Sequence, residues 1–137
     1  MAKIQKSLVK IPSDTRFAKD ISTRVIGALK PYKVDASDIF DVRLCVEEAV
    51  INAIVHGNRR DSSKSVRVTY WIKDDKLNVE VEDEGAGFDH KHLIDPTADD
   101  NIEKGSGRGV FLIHKLMDVV EYNEAGNEVA LIKFKHP

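Results

Sequence analysis

The run Leu-Cys-Val-Glu-Glu-Ala-Val-Ile-Asn-Ala-Ile-Val-His-Gly, from Leu44 to Gly57, constrains this chain more than any other stretch. Apolar residues fall on nearly every side of the helix it would form, so that helix must be largely buried. Gly57 stands where such a helix stops, at the position that tolerates a left-handed backbone. Glu48 and Asn52 are four apart and share one face, and His56 extends the line by another turn. A carboxylate and an amide in apolar company are costly unless something pairs with them. Two readings stay open on this stretch alone. These residues, with Asp41, form the solvated stripe of an amphipathic helix, or they face a magnesium ion and a polyphosphate.

The 137 residues are 42% hydrophobic and 32% charged, the balance of an ordinary globular protein. That length suits one domain with a real core, expected to span residues 1–137. A net charge of -2 gives no electrostatic case for nucleic acid or an anionic membrane as partner. The lone Cys45 excludes an internal disulfide and a cysteine-only zinc site. The stretch from Met1 to Ser7 lacks the apolar centre of a secretory signal. No apolar run approaches the roughly 18 residues needed to cross a bilayer, and the expected location is the cytoplasm.

Along the chain, Lys3 to Ile11 reads as a first strand ended by Pro12, with Ser13 or Asp14 capping the helix that follows. Phe17, Ile21, Val25 and Leu29 recur at four-residue steps, with Ala18 and Ile26 on the same side. Arg16, Lys19, Asp20 and Arg24 are left to solvent, where Arg16 and Arg24 are candidate partner contacts. Ser37 caps the long helix, with Asp38 near its positive end. Val66, Val68, Tyr70 and Ile72 then alternate with polar positions, turn at Lys73-Asp74-Asp75-Lys76, and return as Leu77, Val79 and Val81. That is an antiparallel hairpin. After Gly105–Gly109 a further helical pattern runs from Val110 to Val120, and residues 119–123 and 128–135 form a last hairpin. The predicted fold is a two-layer α/β sandwich, with a mixed but largely antiparallel sheet and helices on one face.

Two glycine clusters flank one polar stretch, Asp89 to Lys104, whose length without periodicity marks a functional loop. Gly105, Gly107 and Gly109 open a helix, and glycines there let backbone N–H groups approach a phosphate. Ser106 lies between them, and Arg108 adds a fixed positive charge. The alternative is a plain flexible link into a helix. Asp83 ends a strand just before Gly85 and Gly87. Its carboxylate can accept from an exocyclic amine such as the adenine N6, or it is a turn aspartate.

Taken together, Glu48-x-x-x-Asn52, Asp83-x-Gly85-x-Gly87 and Gly105-x-Gly107-x-Gly109 resemble the N, G1 and G2 boxes of the GHKL superfamily, in their order. Members of that superfamily include gyrase, heat-shock chaperone and histidine-kinase ATP domains, which share the Bergerat ATP-binding fold. The stretch from Glu48 to Gly57, together with Gly109-Val-Phe-Leu-Ile113 and residues 116–122, is most similar to bacterial anti-sigma-factor serine kinases of the partner-switching type. The resemblance implies ATP and magnesium as cofactors, with Glu48 as catalytic base and Asn52 as magnesium ligand. It implies Asp83 as the adenine-recognising aspartate backed by Gly85 and Gly87, and Gly105–Gly109 at the phosphates under an ATP lid. His56 is phosphate-adjacent at best. Asn127 stands where the family often carries a threonine that assists adenine binding, and Arg108 where many relatives carry an apolar residue.

The implied activity is transfer of the ATP γ-phosphate to a serine of a small anti-anti-sigma (STAS-type) protein, with sequestration of a sigma factor or other transcription regulator. Relatives commonly form homodimers. The alternative is a non-catalytic ATP- or ADP-gated interaction module of the same fold.

Overall fold

The computed structural model describes residues 5–85, 113–123 and 127–134. The first strand, β1 (Ser7–Pro12), is followed by a tight turn at Thr15–Phe17 and two helices, α1 (Ala18–Ala28) and α2 (Ala36–Asn52). Four strands complete the described elements: β2 (Ser65–Lys73), β3 (Lys76–Glu82), β4 (Val119–Tyr122) and β5 (Glu128–Phe134). Residues 113–116 are helical, on the expected third helix. The strands lie in the order β1-β2-β3-β5-β4, and every pairing among them is antiparallel.

Period-two alternation places one apolar face of the sheet against the helices. Val68 pairs with Val81, Val81 with Val129, and Val79 with Leu131. All but Val129 are fully buried, and they join Ile21 and Val25 of α1 and Val42, Val46 and Val50 of α2 in one core. The opposite face carries Arg67, Thr69, Glu80 and Glu82, with an Arg67–Glu82 ion pair across β2 and β3. Helices on one side and polar side chains on the other are the expected two-layer arrangement.

Local chemistry accounts for the junctions. Asp74 and Asp75 both adopt positive φ, 53° and 61°, the geometry a two-residue hairpin demands and aspartate tolerates. Asp14 accepts from the Arg16 N–H at 2.9 Å and so caps the turn at Thr15–Phe17, whereas Ser13 turns inward. The long helix begins one residue before the expected cap, with Asp35 at that position. Lys19, Asp20 and Arg24 are exposed on α1 as expected, whereas Arg16, also exposed, lies in the turn before that helix.

Lys133 extends the inward row of Val129 and Leu131, and it is buried. Its ammonium donates to the Leu116 carbonyl at 2.7 Å and stands 3.7 Å from both Asp38 Oδ1 and Asp41 Oδ2. This cluster ties β5 to the first turns of α2 and to the helical segment at 113–116. Removing the cation takes the positive charge from beside two carboxylates in a poorly solvated place. Lys133→Met is expected to lower stability by about 3 kcal/mol, read as the shift in the urea unfolding midpoint.

Candidate functional site

The site is built where α2 changes character. At Ala53–Gly57 the helix widens to a π-helical turn, with the Asn58 N–H bonded to the Ala53 carbonyl at 2.8 Å. Such widened turns recur at functional positions. Gly57 is not the left-handed stop that the sequence suggests. The positive φ values belong to Arg59 and Arg60, at 53° and 59°, and the Arg60 N–H reaches back to the Ile54 carbonyl at 2.8 Å. Gly57 is needed for a different reason. A Cβ on it would lie 2.1 Å from Asp83 Oδ2 and 2.2 Å from Asp83 Cγ, so the aspartate side chain fills that space. A Cβ on Gly85 would lie 1.9 Å from the Gly57 carbonyl oxygen. The end of α2 and the turn after β3 therefore pack backbone against backbone.

Asp83 is buried at this junction. Its N–H donates to the Asn127 carbonyl at 2.9 Å, and its Oδ1 accepts from the Gly85 N–H at 2.8 Å. Burial raises the carboxyl above the usual aspartate range, and the Gly85 hydrogen bond works against that rise. Asp83, Asn52 and Asn127 all line one cleft together with Tyr122 and Glu128, walled by Ala49, Ala53, Val81, Ile113 and Val129. A mostly apolar slot with few convergent polar groups is the form a small-molecule site takes. Burial pushes the Tyr122 hydroxyl up to about 12, which keeps it neutral. A second cleft lies against Asp38 and Lys133, away from the Asn52 end of α2.

The wall residues were not expected from sequence. Ala49 and Ala53 lie three before and one after Asn52, and their small side chains leave the slot open on that face. Glu48 is half-buried one turn before Asn52 and outside the cavity lining. Burial, and next the Glu47 charge, raise its carboxyl above the usual glutamate range. Glu47 points elsewhere and accepts from the buried Ser22 hydroxyl of α1 at 3.0 Å. His56 is exposed on the π-helical turn and also outside the lining; partial burial and the Arg60 charge lower its pKa. Gly87, the Asp89–Lys104 loop, Gly105, Ser106, Gly107, Arg108 and Gly109 lie outside the described residues.

Helices over one face of an antiparallel sheet, with an asparagine from the long helix and a strand-end aspartate facing one slot, define a GHKL-type domain. Residues 11–133 match the family model described as histidine kinase-like ATPase domain, and the chain belongs to that family. Its curated relatives include Serine-protein kinase RsbW of Staphylococcus epidermidis, 29% identical over 92% of this chain and 84% of that protein. Serine-protein kinase RsbW of Staphylococcus aureus is 30% identical over the same shares. A crystal structure of the RsbU and RsbW domains of a Mycobacterium tuberculosis protein superposes with a TM-score of 0.65 at 17% identity. That match covers 97% of this chain and 33% of the larger one, and it carries the fold alone. Among the described residues no helix is long and apolar enough to cross a membrane.

The glycine contacts separate two kinds of position. Gly57→Ala is expected to destabilise by about 2 kcal/mol or more, since the new methyl and the Asp83 carboxylate cannot share one space. Gly27→Ala, in α1 with nothing within 4 Å of the added carbon, is expected to stabilise by about 0.5–1 kcal/mol. Thermal melts of the two variants against the parent check both signs.

Proposed function

We propose that this chain is a magnesium-dependent protein-serine/threonine kinase of the anti-sigma-factor type, working as one domain over residues 1–137. It transfers the ATP γ-phosphate to a serine of a small STAS-type antagonist and sequesters a sigma factor or a similar transcription regulator in the cytoplasm. The supporting observation is the slot shared by Asn52, Asp83 and Asn127, one helical turn from a half-buried carboxylate. The serine-kinase name of the curated relatives supports the reaction.

The residues present fit the nucleotide. Asp83 keeps lone pairs beyond the one engaged by Gly85, suited to the exocyclic amine of adenine. The apolar walls take the flat ring, and the Asn52 side-chain oxygen suits a hard cation that also takes phosphate oxygens. Magnesium, when bound with the triphosphate, neutralises charge on the transferring group. Glu48 takes the proton of the incoming serine hydroxyl, and its raised pKa brings it nearer the operating pH of a general base. His56, exposed on the π-helical turn, is assigned to the phosphate end. Gly87 backs Asp83 at the adenine, and Gly105, Ser106, Gly107, Arg108 and Gly109 hold the phosphate end, as the family resemblance implies. Arg16, in the turn before α1, and Arg24, on α1, are exposed and contact the protein partner.

Three measurements with labelled ATP and a STAS-type antagonist check this reading. Glu48→Gln is expected to keep nucleotide affinity and lose phosphotransfer by about 10²-fold or more. Asn52→Ala is expected to weaken the magnesium–ATP complex itself by about tenfold or more, read by calorimetry. The base must be ionised, so transfer falls as pH drops through the raised Glu48 pKa. The acidic limb of the rate profile then lies above the ordinary glutamate range. Tight ATP binding by the parent protein without any phosphoserine would instead identify a nucleotide-gated interaction module.

A further inference from the structure

Asn58 follows the glycine that makes room for Asp83, and its amide is 1% exposed. Its Nδ2 donates to Ser13 Oγ at 2.9 Å and to the Ser65 carbonyl at 2.9 Å, while its Oδ1 accepts from the Glu84 N–H at 2.8 Å. One buried side chain thus joins the segment between β1 and α1, the start of β2 and the turn after β3. The orientation of the amide is determined by these partners. The Ser13 hydroxyl proton goes to the Lys64 carbonyl at 2.8 Å, so its oxygen is an acceptor toward Asn58. A flipped amide would set its oxygen against the Ser65 carbonyl and its nitrogen against the Glu84 N–H.

The backbone around Asn58 is held under strain. Arg59 and Arg60 follow it in left-handed conformations that side chains with a Cβ adopt at a cost. Such conformations persist where the surroundings over-determine them, and they gather at functional sites. Here the surroundings are the three Asn58 side-chain bonds, its N–H to Ala53, and the Arg60 N–H to Ile54. What they hold is the Glu84 amide, one peptide beyond Asp83. On its other side Asp83 is anchored by its own N–H to Asn127.

We infer that Asn58 is a positioning residue for base recognition: it holds the Asp83–Gly85 turn against Gly57 and so sets where the Asp83 carboxylate meets a purine amine. The inference rests on the nucleotide reading of the cavity. Losing the amide leaves the Glu84 N–H without its partner and lets the turn lift from Gly57. The penalty then falls on the contact between Asp83 and the exocyclic amine, and spares the phosphate end of the ligand.

Titration calorimetry of the full chain with magnesium–ATP, and with magnesium and purine riboside triphosphate, which lacks the 6-amino group, tests this. The parent is expected to prefer ATP. Asn58→Leu, close in volume but unable to hydrogen-bond, is expected to weaken ATP by about tenfold and purine riboside triphosphate by less than about twofold. Ser13→Ala, a gentler change at the other end of one bond, is expected to shift the same preference in the same direction by about two- to threefold. It decides the matter if Asn58→Leu does not fold. Equal weakening of both nucleotides, or unchanged ATP affinity in a folded variant, overturns the positioning role. A parent protein that binds both nucleotides equally overturns the Asp83–adenine reading and this inference with it.

Discussion

The architecture depends on the contact between the end of α2 and the turn after β3. Asp83 can be buried there only because residue 57 has no side chain, and residue 85 can approach only because it has none either. That close approach brings the turn of the sheet layer up to the helix layer. It therefore decides how far Asn52 lies from the strand-end aspartate. The desolvation shows in the raised Asp83 pKa, and the Gly85 N–H offsets part of it. A carboxylate held this way is poor in water contacts and keeps acceptor capacity beyond its one fixed bond to Gly85.

The long helix serves as a beam with different chemistry at its two ends. Near its N-terminus, Asp38 and Asp41 stand close to the Lys133 ammonium, which also satisfies the Leu116 carbonyl. Along its middle, Glu47 receives the Ser22 hydroxyl and Arg43 reaches the same oxygen at 3.2 Å, locking α2 to α1. Adjacent glutamates consequently have separate work. Glu47 is committed to helix packing, and its charge still adds to the shift on Glu48 beside it. Asn52 then lies on the segment just before the helix widens, where small neighbours leave space beside it.

Much of this was legible in the sequence because much of it follows from alternation. The β2–β3 hairpin, the final hairpin and the buried face of α1 need only periods of 2 and 3.6, which Val66–Ile72, Leu77–Val81 and Phe17–Leu29 display. Lys133 was missed, although alternation along Val129, Leu131 and Lys133 is the signal that points the lysine inward toward carboxylates. The role of Gly57 was not legible, because its partner lies 26 positions away and a helix-end glycine has an adequate local explanation. Asn58 was hidden in a polar stretch that reads as an ordinary loop. Its importance comes from three bonds to segments that only the fold brings together.

Asn127, which stands where the family often carries a threonine, has its amide oriented by Asn123. Asn123 Oδ1 accepts from the backbone N–H groups of Asn127 and Glu128, at 3.1 and 3.2 Å, so its oxygen must face that backbone. Its Nδ2 is then the atom that meets the Asn127 side chain, donating to Oδ1 at 2.7 Å. This turns the Asn127 Nδ2 away from Asn123, on a residue that lines the cavity. A threonine hydroxyl can donate or accept, whereas an amide nitrogen only donates. On the proposed reading, a donor is what the ring nitrogens of adenine require, beside an aspartate that accepts from its amine. On that same reading the replacement narrows the chemistry at that position without removing it.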